Sequence, residues 1–343
     1  MKRSKDAPLT WFLESYNNEH SLPIFKHLID NCERWSDVSL FVDDTILEDP
    51  IFESVSGRIP ILKRLELRGY DFPRDLNAFA VAPALSVVDC VLSLDPCDAI
   101  LPWVQIRVLT LHYSYSRESL AILSRCPNLE QLELELIGGK EDFPRFITPK
   151  AQEPVEDTLE FVLEYLTLPC LSSITFGSSD SWKWKSWDER QQQIQQFLLR
   201  SQCNITSLRL EVPELDDQQA IDLLVLFPSL ETLYLHDEEV TIPLFLRQLI
   251  ANDGYSSDSS RFLPRLSNLT LVMYGANLDA ECLCNAVVSR WNPATETGIC
   301  SLRSVTIRVI GDVDVDCLEK LSALEKLGAP GRRITISFMP FGA

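Results

Sequence analysis

The sequence predicts an α/β fold made of one strand-and-helix unit repeated along the chain, and three observations favour this class. The first is an apolar phrase, Pro-x-Leu-x-x-Leu-x-Leu, whose clearest copy runs from Pro127 to Leu134. The second is the return of this phrase every few tens of residues in a chain of 343 residues. The third is its internal spacing, because apolar residues two apart lie on the same face of a β-strand.

The other copies of the phrase share its three apolar positions, and most of them also share the proline. Copies with the proline begin at Pro60, Pro83, Pro169, Pro228 and Pro264, and copies without it begin at Ile106, Ile205 and Leu302. The proline ends the preceding helix because its ring fixes φ and it has no N–H. One strand and one helix cannot bury their apolar faces alone, whereas stacked units can. The sequence therefore predicts a leucine-rich-repeat solenoid, a curved horseshoe with a parallel sheet on its concave face and helices on its convex face.

The N-terminal part of the chain differs from the repeats. Residues 1–45 are predicted to form a helical cap and the first strand, with helix over residues 9–31 and the strand from Arg34, where Val38 and Leu40 face inward. Residues 46–343 are predicted to form the solenoid, which is irregular because of insertions near 138–153, 178–188 and 253–262. Later units are predicted to use helices over 188–202, 278–291 and 314–327, and the last strand contains Ile334 and Ile336.

The charge and the apolar runs exclude several classes of partner. The formal net charge is −19, whereas nucleic acids and anionic membranes usually bind to basic stripes, so we expect neither as a partner. No stretch reaches the 18 apolar residues typical of a membrane span. No apolar run follows Met1, so no signal peptide is predicted and a cytoplasmic or nuclear location is expected.

The sequence contains no recognisable catalytic constellation. Its ten cysteines include no Cys-x-x-Cys pair, and its four histidines are widely spread. Gly139-Lys140 lacks the other residues of a P-loop, and there is no Gly-x-Ser-x-Gly nucleophile elbow. We therefore expect no enzyme activity, no metal site and no cofactor. Cys90, Cys126, Cys170 and Cys203 are predicted to be small buried hydrophobic residues.

The candidate binding residues are polar side chains that alternate with the buried positions of the strands and would face outward on the concave side. They are Arg64, Glu66, Arg68, His112, Glu133, Glu135, Arg209, Glu211, Tyr234, His236 and Arg308. Arginine and tyrosine often carry interface energy, although these side chains could instead be simply solvated. Replacing Arg64, Arg68 and Arg209 by Glu is expected to abolish partner binding without unfolding the chain, because exposed strand positions contribute little to stability.

A loop with three tryptophans between lysines is a second candidate contact surface. The tryptophans are Trp182, Trp184 and Trp187. Indole rings on a polar loop favour contact with a partner. The alternative is that one or two of them fold back onto the neighbouring helix.

Seven phrases, several of which overlap the repeat copies, carry a family resemblance. They are Arg34-Trp35-x-x-Val38, Phe79-x-x-Ala82-Pro83-x-Leu85, Leu101-Pro102-Trp103-x-Gln105-x-x-x-Leu109, Ile122-Leu123-x-x-Cys126-Pro127-Asn128-Leu129, Leu168-Pro169-x-Leu171, Arg200-Ser201-x-Cys203 and Val288-Ser289-Arg290. In this order, over nearly the whole chain, they resemble the leucine-rich-repeat portion of the large F-box protein family of basidiomycete fungi. The resemblance implies a non-enzymatic recognition module, similar to the substrate-binding half of an F-box ubiquitin-ligase adaptor, with an unknown protein target.

The F-box itself is apparently missing from the sequence. The phrase Leu22-Pro23-Ile24-Phe25 and the pair Cys32 and Trp35 resemble its first and last helices, but only eleven residues separate Pro23 from Trp35. A Skp-type adaptor is therefore expected as a partner only if an upstream F-box exists. The alternative is a free-standing leucine-rich-repeat scaffold, or a decoy binding protein, with no ubiquitin-ligase link. In either case a monomer is expected.

Overall fold

A computed structural model describes most of the chain. The described residues are 7–15, 18–42, 49–68, 77–91, 101–114, 116–136, 163–177, 187–211, 216–236, 243–250, 262–293 and 298–340. The three predicted insertions fall almost entirely outside these ranges, so their predictions stay untested.

The chain divides into two compact units. The first consists of residues 1–171, 179–184 and 196–203, and the second of residues 172–178, 185–195 and 204–343. In each unit the strands are parallel, lie side by side in chain order, and are connected by helices or turns. The predicted α/β class with parallel strands is therefore confirmed within each unit.

The first unit has six described strands, two described α-helices and several 3-10 helices. The strands are β1 (Leu9–Ser15), β2 (Trp35–Val42), β3 (Arg64–Arg68), β4 (Val87–Val91), β5 (Val108–Ser114) and β6 (Gln131–Leu136), the α-helices are α1 (Asn18–Ile29) and α2 (Ser116–Leu123), and the 3-10 helices are Cys32–Arg34, Pro50–Val55, Asn77–Phe79 and Trp103–Gln105. The strands pair so that equivalent leucine positions of the phrase are neighbours, as in Val88 beside Leu65 and Leu109. These three side chains are fully buried, as the spacing of the phrase predicts. The prediction of buried cysteines is confirmed for Cys90 and Cys126 and is wrong for Cys170, which is exposed, and for Cys203, which is half-buried.

The prediction of helix over residues 9–31 is wrong for Leu9–Ser15, which form β1. This strand pairs in parallel with β2, so Trp35–Val42 is the second strand rather than the first. Exposure alternates along β1, and the Trp11 ring packs edge-on against Trp35 with a centroid distance of 4.9 Å. The alternation has the two-residue period of a strand, and pairing with β2 fixes it. The helix begins only at Asn18.

A row of aromatic rings fills the core of the first unit behind β1 to β4. Phe25 of α1 stacks on Phe52 with a centroid distance of 4.8 Å, and Phe52 contacts Phe79 at 5.8 Å. All three rings are at most 3% exposed. Because each ring comes from a different connecting segment, the contacts join successive repeats. Replacing any one of these rings by the Ala side chain is expected to lower the free energy of unfolding by about 3–5 kcal/mol.

The second unit has six described strands, and its connecting segments are mostly full α-helices. The strands are β7 (Ser173–Gly177), β8 (Ser207–Glu211), β9 (Thr232–His236), β10 (Asn268–Tyr274), β11 (Ser304–Ile310) and β12 (Arg333–Met339), and the helices are α3 (Trp187–Ser201), α4 (Asp217–Val225), α5 (Pro243–Leu249), α6 (Ala280–Trp291) and α7 (Val315–Glu325). Residues 185–195, with most of α3, belong to this unit. The helices and the last strand predicted for this part of the chain are confirmed to within a few residues.

Acidic residues begin the helices of the second unit and join neighbouring helices. Asp216 and Gln219 form a reciprocal capping box at the start of α4. The buried carboxylate of Asp217 accepts hydrogen bonds from the backbone N–H groups of Leu244 and Phe245, at 2.5 and 2.8 Å. Asp217 therefore caps the start of α5 from α4, and such caps contribute about 1 kcal/mol each.

The buried side chain of Arg290, in the last turn of α6, binds backbone carbonyl oxygens, whereas Asp217 binds backbone N–H groups. Its guanidinium donates to the backbone carbonyl oxygens of Leu249, Phe262 and Leu263 at 2.5–2.9 Å. Burial lowers the pKa of Arg290 to about 10, so the side chain remains charged at neutral pH. The three carbonyl groups compensate the buried charge, which makes Arg290 a structural connector between segments.

Candidate functional site

The predicted binding residues of the first unit lie on the side of the strands opposite the helices. Within β3, β4 and β5 the inward residues, such as Leu67 and Cys90, are buried against the connecting segments. Side chains alternate along a strand, so the residues between them face the other way. This side of the strands is called the open face below.

Five open-face side chains form one polar group, the Asp89 cluster. Its members are Arg64, Glu66, Arg68, Asp89 and His112. The strand register explains the grouping, because Glu66 of β3 is directly opposite Asp89 of β4 and His112 of β5 is one strand further along the sheet. Four of the five were predicted from the sequence, and the structure brings them together around a fifth.

Asp89 is the centre of the cluster. Its Oδ2 lies 3.5 Å from a terminal nitrogen of both Arg64 and Arg68, and its Oδ1 lies 3.1 Å from Nε2 of His112. Glu66 accepts a hydrogen bond of 2.9 Å from the Ser39 hydroxyl and lies 3.1 Å from Nε of Arg68. The two carboxylates therefore lie among the basic side chains of three neighbouring strands, β3, β4 and β5.

The carboxylates of the cluster are shielded and the arginines are partly open to solvent. The side chains of Asp89 and Glu66 are 10% and 15% exposed, whereas those of Arg64 and Arg68 are 45% and 38% exposed. Burial by itself raises the pKa of Asp89, but the hydrogen bond and charge of His112 and the charges of Arg68 and Arg64 outweigh it, so the net pKa is lowered. Asp89 is therefore a fixed negative charge at neutral pH.

Asp89 was missed by the sequence analysis, although the signal for it is present. It stands between Val88 and Cys90, both buried, so strand alternation places it on the open face. An acidic residue there is only 7% exposed because its neighbours on both adjacent strands are basic or polar. The basic residues at the flanking positions of β3 and β5, namely Arg64, Arg68 and His112, are the sequence signal that identifies Asp89 as their acidic partner.

The Asp89 cluster presents a charge pattern that is set before any partner arrives. A guanidinium group has five N–H donors, and the contacts with Glu66 and Asp89 use only some of them. The exposed edges of Arg64 and Arg68 can therefore donate to carboxylate or carbonyl oxygens of a partner. The Arg68 guanidinium also lies 5.4 Å from the centre of the Phe41 ring, which limits its rotation.

The second unit carries a smaller group on its open face, the Tyr234 cluster, formed by Arg209, Glu211 and Tyr234. The Arg209 guanidinium lies over the Tyr234 ring at 3.7 Å from its centre and forms an ion pair with Glu211. Burial raises the pKa of Tyr234, and the charge and hydrogen bond of Glu211 add to the rise while Arg209 and Arg308 oppose it. The cluster presents an aromatic ring and one cation side by side, with Arg209 still 44% exposed.

The remaining predicted residues are placed but not joined to a cluster. His236 is half-buried, its Nε2 has no hydrogen-bond partner within the part of the chain that the structure describes, and Arg308 is exposed on β11. Glu133 is exposed on β6, and Glu135 belongs to the same strand although its side chain is not described. Of the three tryptophans, Trp182 and Trp184 lie outside the described residues. Trp187 is the first residue of α3, and its side chain is not described.

Two searches for other kinds of site give negative results over the described ranges. No group of three or more His, Cys, Asp or Glu side chains there is arranged to hold a metal ion. No helix in the described part of the chain is long and apolar enough to cross a membrane. The polar clusters of the open face are thus the main candidate site.

Two comparisons of this chain with known proteins give no match. A scan against models of known protein families finds no match, and a search of curated proteins also finds none.

Proposed function

We propose that this chain is a leucine-rich-repeat recognition module that binds a protein partner through the open face of its strands. The observation that carries the proposal is the Asp89 cluster, in which side chains from neighbouring strands hold one another in a fixed charge pattern. A preformed pattern lowers the entropic cost of ordering side chains on binding. It also favours partners with the complementary arrangement of charges.

The repeated leucines support the horseshoe part of the proposal. They occupy equivalent positions in neighbouring strands of each unit, as Leu233 and Leu269 do in register in the second unit. The side chains between them are left for contact with a partner, as in other repeat proteins with extended binding surfaces. The resemblance to the recognition half of fungal F-box proteins favours a protein as this partner.

A charge-reversal experiment tests the proposal. The double variant Arg209→Glu/Arg308→Glu changes two exposed open-face residues, and the control Arg247→Glu/Lys326→Glu makes the same charge change on exposed helix positions. Both variants and the wild-type chain are used as bait for affinity capture followed by mass spectrometry. We expect the open-face variant to lose proteins that the control retains, with affinity lowered about tenfold or more. Equal capture by both variants, or equal loss, would contradict the proposal.

A free-standing scaffold or decoy is the second candidate function, and the opening segment of the chain favours it over direct docking on a Skp-type adaptor. The F-box-like phrase from Leu22 to Phe25 lies within α1, and Trp35 is the first residue of β2. Within residues 18–42 this segment has one α-helix and one 3-10 helix, whereas the F-box of the family that the sequence resembles has three helices. We expect this chain alone not to bind a purified Skp-type adaptor in a pull-down assay, and binding would show that the segment acts as an F-box.

A further inference from the structure

A polar groove follows the edge of the second unit at which the strands begin. It has a cavity volume of about 740 Å³ and is lined by Glu231, Arg265, Ser267, Cys300, Ser301, Arg303, Pro330, Gly331 and Arg332. This volume is within the range of known ligand pockets. The groove contains none of the open-face residues considered above.

The strand register places four lining residues at the same position of successive repeats. Asn268 is paired with both Thr232 and Ser304, and Ser304 is paired with Arg333. The residues immediately before these strands, namely Glu231, Ser267, Arg303 and Arg332, therefore follow one another along the groove. Neighbouring strands are about 4.8 Å apart, so Glu231 and Arg303 are separated by about 10 Å.

The backbone N–H groups of this row already donate to other backbone groups, so a ligand in the groove would be bound by side chains. The N–H groups of Ser267 and Arg303 donate to the carbonyl oxygens of Glu231 and Ser267, at 2.9 and 2.7 Å. Arg332 is fixed in place because it donates to the Trp291 carbonyl oxygen at 2.7 Å and to the Asn292 side chain at 3.2 Å.

The other two arginines of the groove are available to a ligand. The side chains of Arg265 and Arg303 are exposed, and neither side chain makes a hydrogen bond or an ion pair within the part of the chain that the structure describes. The arginines of the Asp89 and Tyr234 clusters, in contrast, are paired with carboxylates. One end of the groove is therefore positive, although the net charge of the whole chain is −19.

We propose that this groove binds an extended peptide segment with an anionic residue at the Arg303 and Arg332 end, beside Arg265 of the preceding repeat, and a basic residue at the Glu231 end. Arginine side chains bind phosphate and carboxylate oxygens through paired N–H donors, so the anionic residue is an acidic or a phosphorylated one. Three residues of extended chain span about 10 Å, which sets the distance between the two charges. A nucleic acid is disfavoured because Glu231 and the acidic chain repel a continuous polyanion.

Fluorescence anisotropy with labelled peptides tests the proposal on the full chain at low salt. The probes are Lys-Ala-Ala-Asp-Asp, Lys-Ala-Ala-phosphoserine, the neutral-end peptide Lys-Ala-Ala-Asn-Asn, the peptide Ala-Ala-Ala-Asp-Asp without the basic residue, and a single-stranded oligonucleotide. The N-terminus of every peptide is blocked by the label and its C-terminus is an amide, so only the side chains carry charge. We expect at least one of the two anionic probes to bind about tenfold or more tightly than Lys-Ala-Ala-Asn-Asn, and the tighter of the two identifies the source of the anion.

Matched variants separate the groove from general electrostatics. Arg303→Glu is expected to abolish binding of the anionic probes, whereas Arg333→Glu, an exposed arginine outside the groove lining, retains it. Glu231→Gln is expected to keep anion binding and to lose the preference for Lys over Ala at the first position. Three results would overturn the proposal. They are equal losses of peptide affinity in Arg303→Glu and Arg333→Glu, binding of the neutral-end peptide as tight as that of the anionic probes, and binding of the oligonucleotide tighter than that of the anionic probes. The open-face variant Arg209→Glu/Arg308→Glu retains peptide binding if the two sites are separate.

Discussion

The Asp89 cluster and the Tyr234 cluster occupy equivalent positions of the repeat phrase and differ in how many charges surround them. Asp89 lies between buried Val88 and Cys90, as Tyr234 lies between buried Leu233 and Leu235. Asp89 faces three basic groups from both adjacent strands, whereas Tyr234 is covered by Arg209 from one adjacent strand. A polar side chain on an open strand face is thus either structural or free for contact, depending on the residues at the flanking positions.

The largest difference between the clusters is expected from double charge reversal. Arg64→Glu/Arg68→Glu would place two carboxylates beside Asp89 and Glu66 and remove their counterions, which we expect to lower the free energy of unfolding by about 2–4 kcal/mol. Arg209→Glu/Arg308→Glu makes the same charge change at exposed positions and should cost less than about 1 kcal/mol. Urea unfolding followed by circular dichroism measures both. Similar losses in the two variants would show that the clusters do not differ in this way.

This expectation refines the sequence-based prediction that Arg64, Arg68 and Arg209 can all be replaced by Glu without unfolding. The contacts with Asp89 and Glu66 make Arg64 and Arg68 unsuitable for a binding test. Arg209 remains suitable because its partners, Glu211 and Tyr234, are themselves partly exposed.

A smaller effect is expected when Asp89 loses its charge and keeps its shape. Asp89→Asn leaves Arg64, Arg68 and His112 facing a neutral group, and we expect the free energy of unfolding to fall by about 1–3 kcal/mol. Glu133→Gln is the matched control, because Glu133 is in the same row of the open face, opposite Thr110, and is exposed. The control should change stability by less than about 0.5 kcal/mol. Equal midpoints of urea unfolding for Asp89→Asn and the wild type would contradict a stabilising role for the cluster.

The smallest expected effect is a dependence on pH. The pKa of Asp89 in the folded chain lies below its usual value of 3.8, so its contribution to stability is complete above this value and is lost as pH falls through the folded pKa. The stability difference between wild type and Asp89→Asn should therefore shrink as the pH falls below 3.8. Unfolding curves of both proteins across this range measure the difference. A difference that grows on acidification would reverse the assigned direction of the pKa shift.

The fold was predictable to the extent that it depends on local spacing. The phrase around Pro228 and Leu233 identifies β9 because both the helix-ending proline and the strand alternation are local in sequence. The strand Leu9–Ser15 was not predictable in this way, because it has no such phrase and its conformation depends on pairing with β2. Helical and strand interpretations of a short apolar run are hard to separate without that partner.

The candidate sites were predictable residue by residue but not as groups. Alternation predicts outward positions for Glu66 and His112, but it contains no information on the distance between side chains of different repeats, and Asp89 was left out of the predicted set. The groove was missed because Arg265, Arg303 and Arg332 belong to different repeats and are brought together only by the register of β10, β11 and β12.

Site-specific photo-cross-linking shows whether partners bind the open face. A photoreactive amino acid is placed at Thr306, in the same open-face row as Tyr234 and Thr270, or at Val288, which is 48% exposed on α6. Cross-linked products are then identified from the partner mixture captured by the wild-type chain. If partners bind the open face, cross-links are expected from position 306 and not from position 288. Cross-links from position 288 alone would place the partner on the helices and contradict the claim.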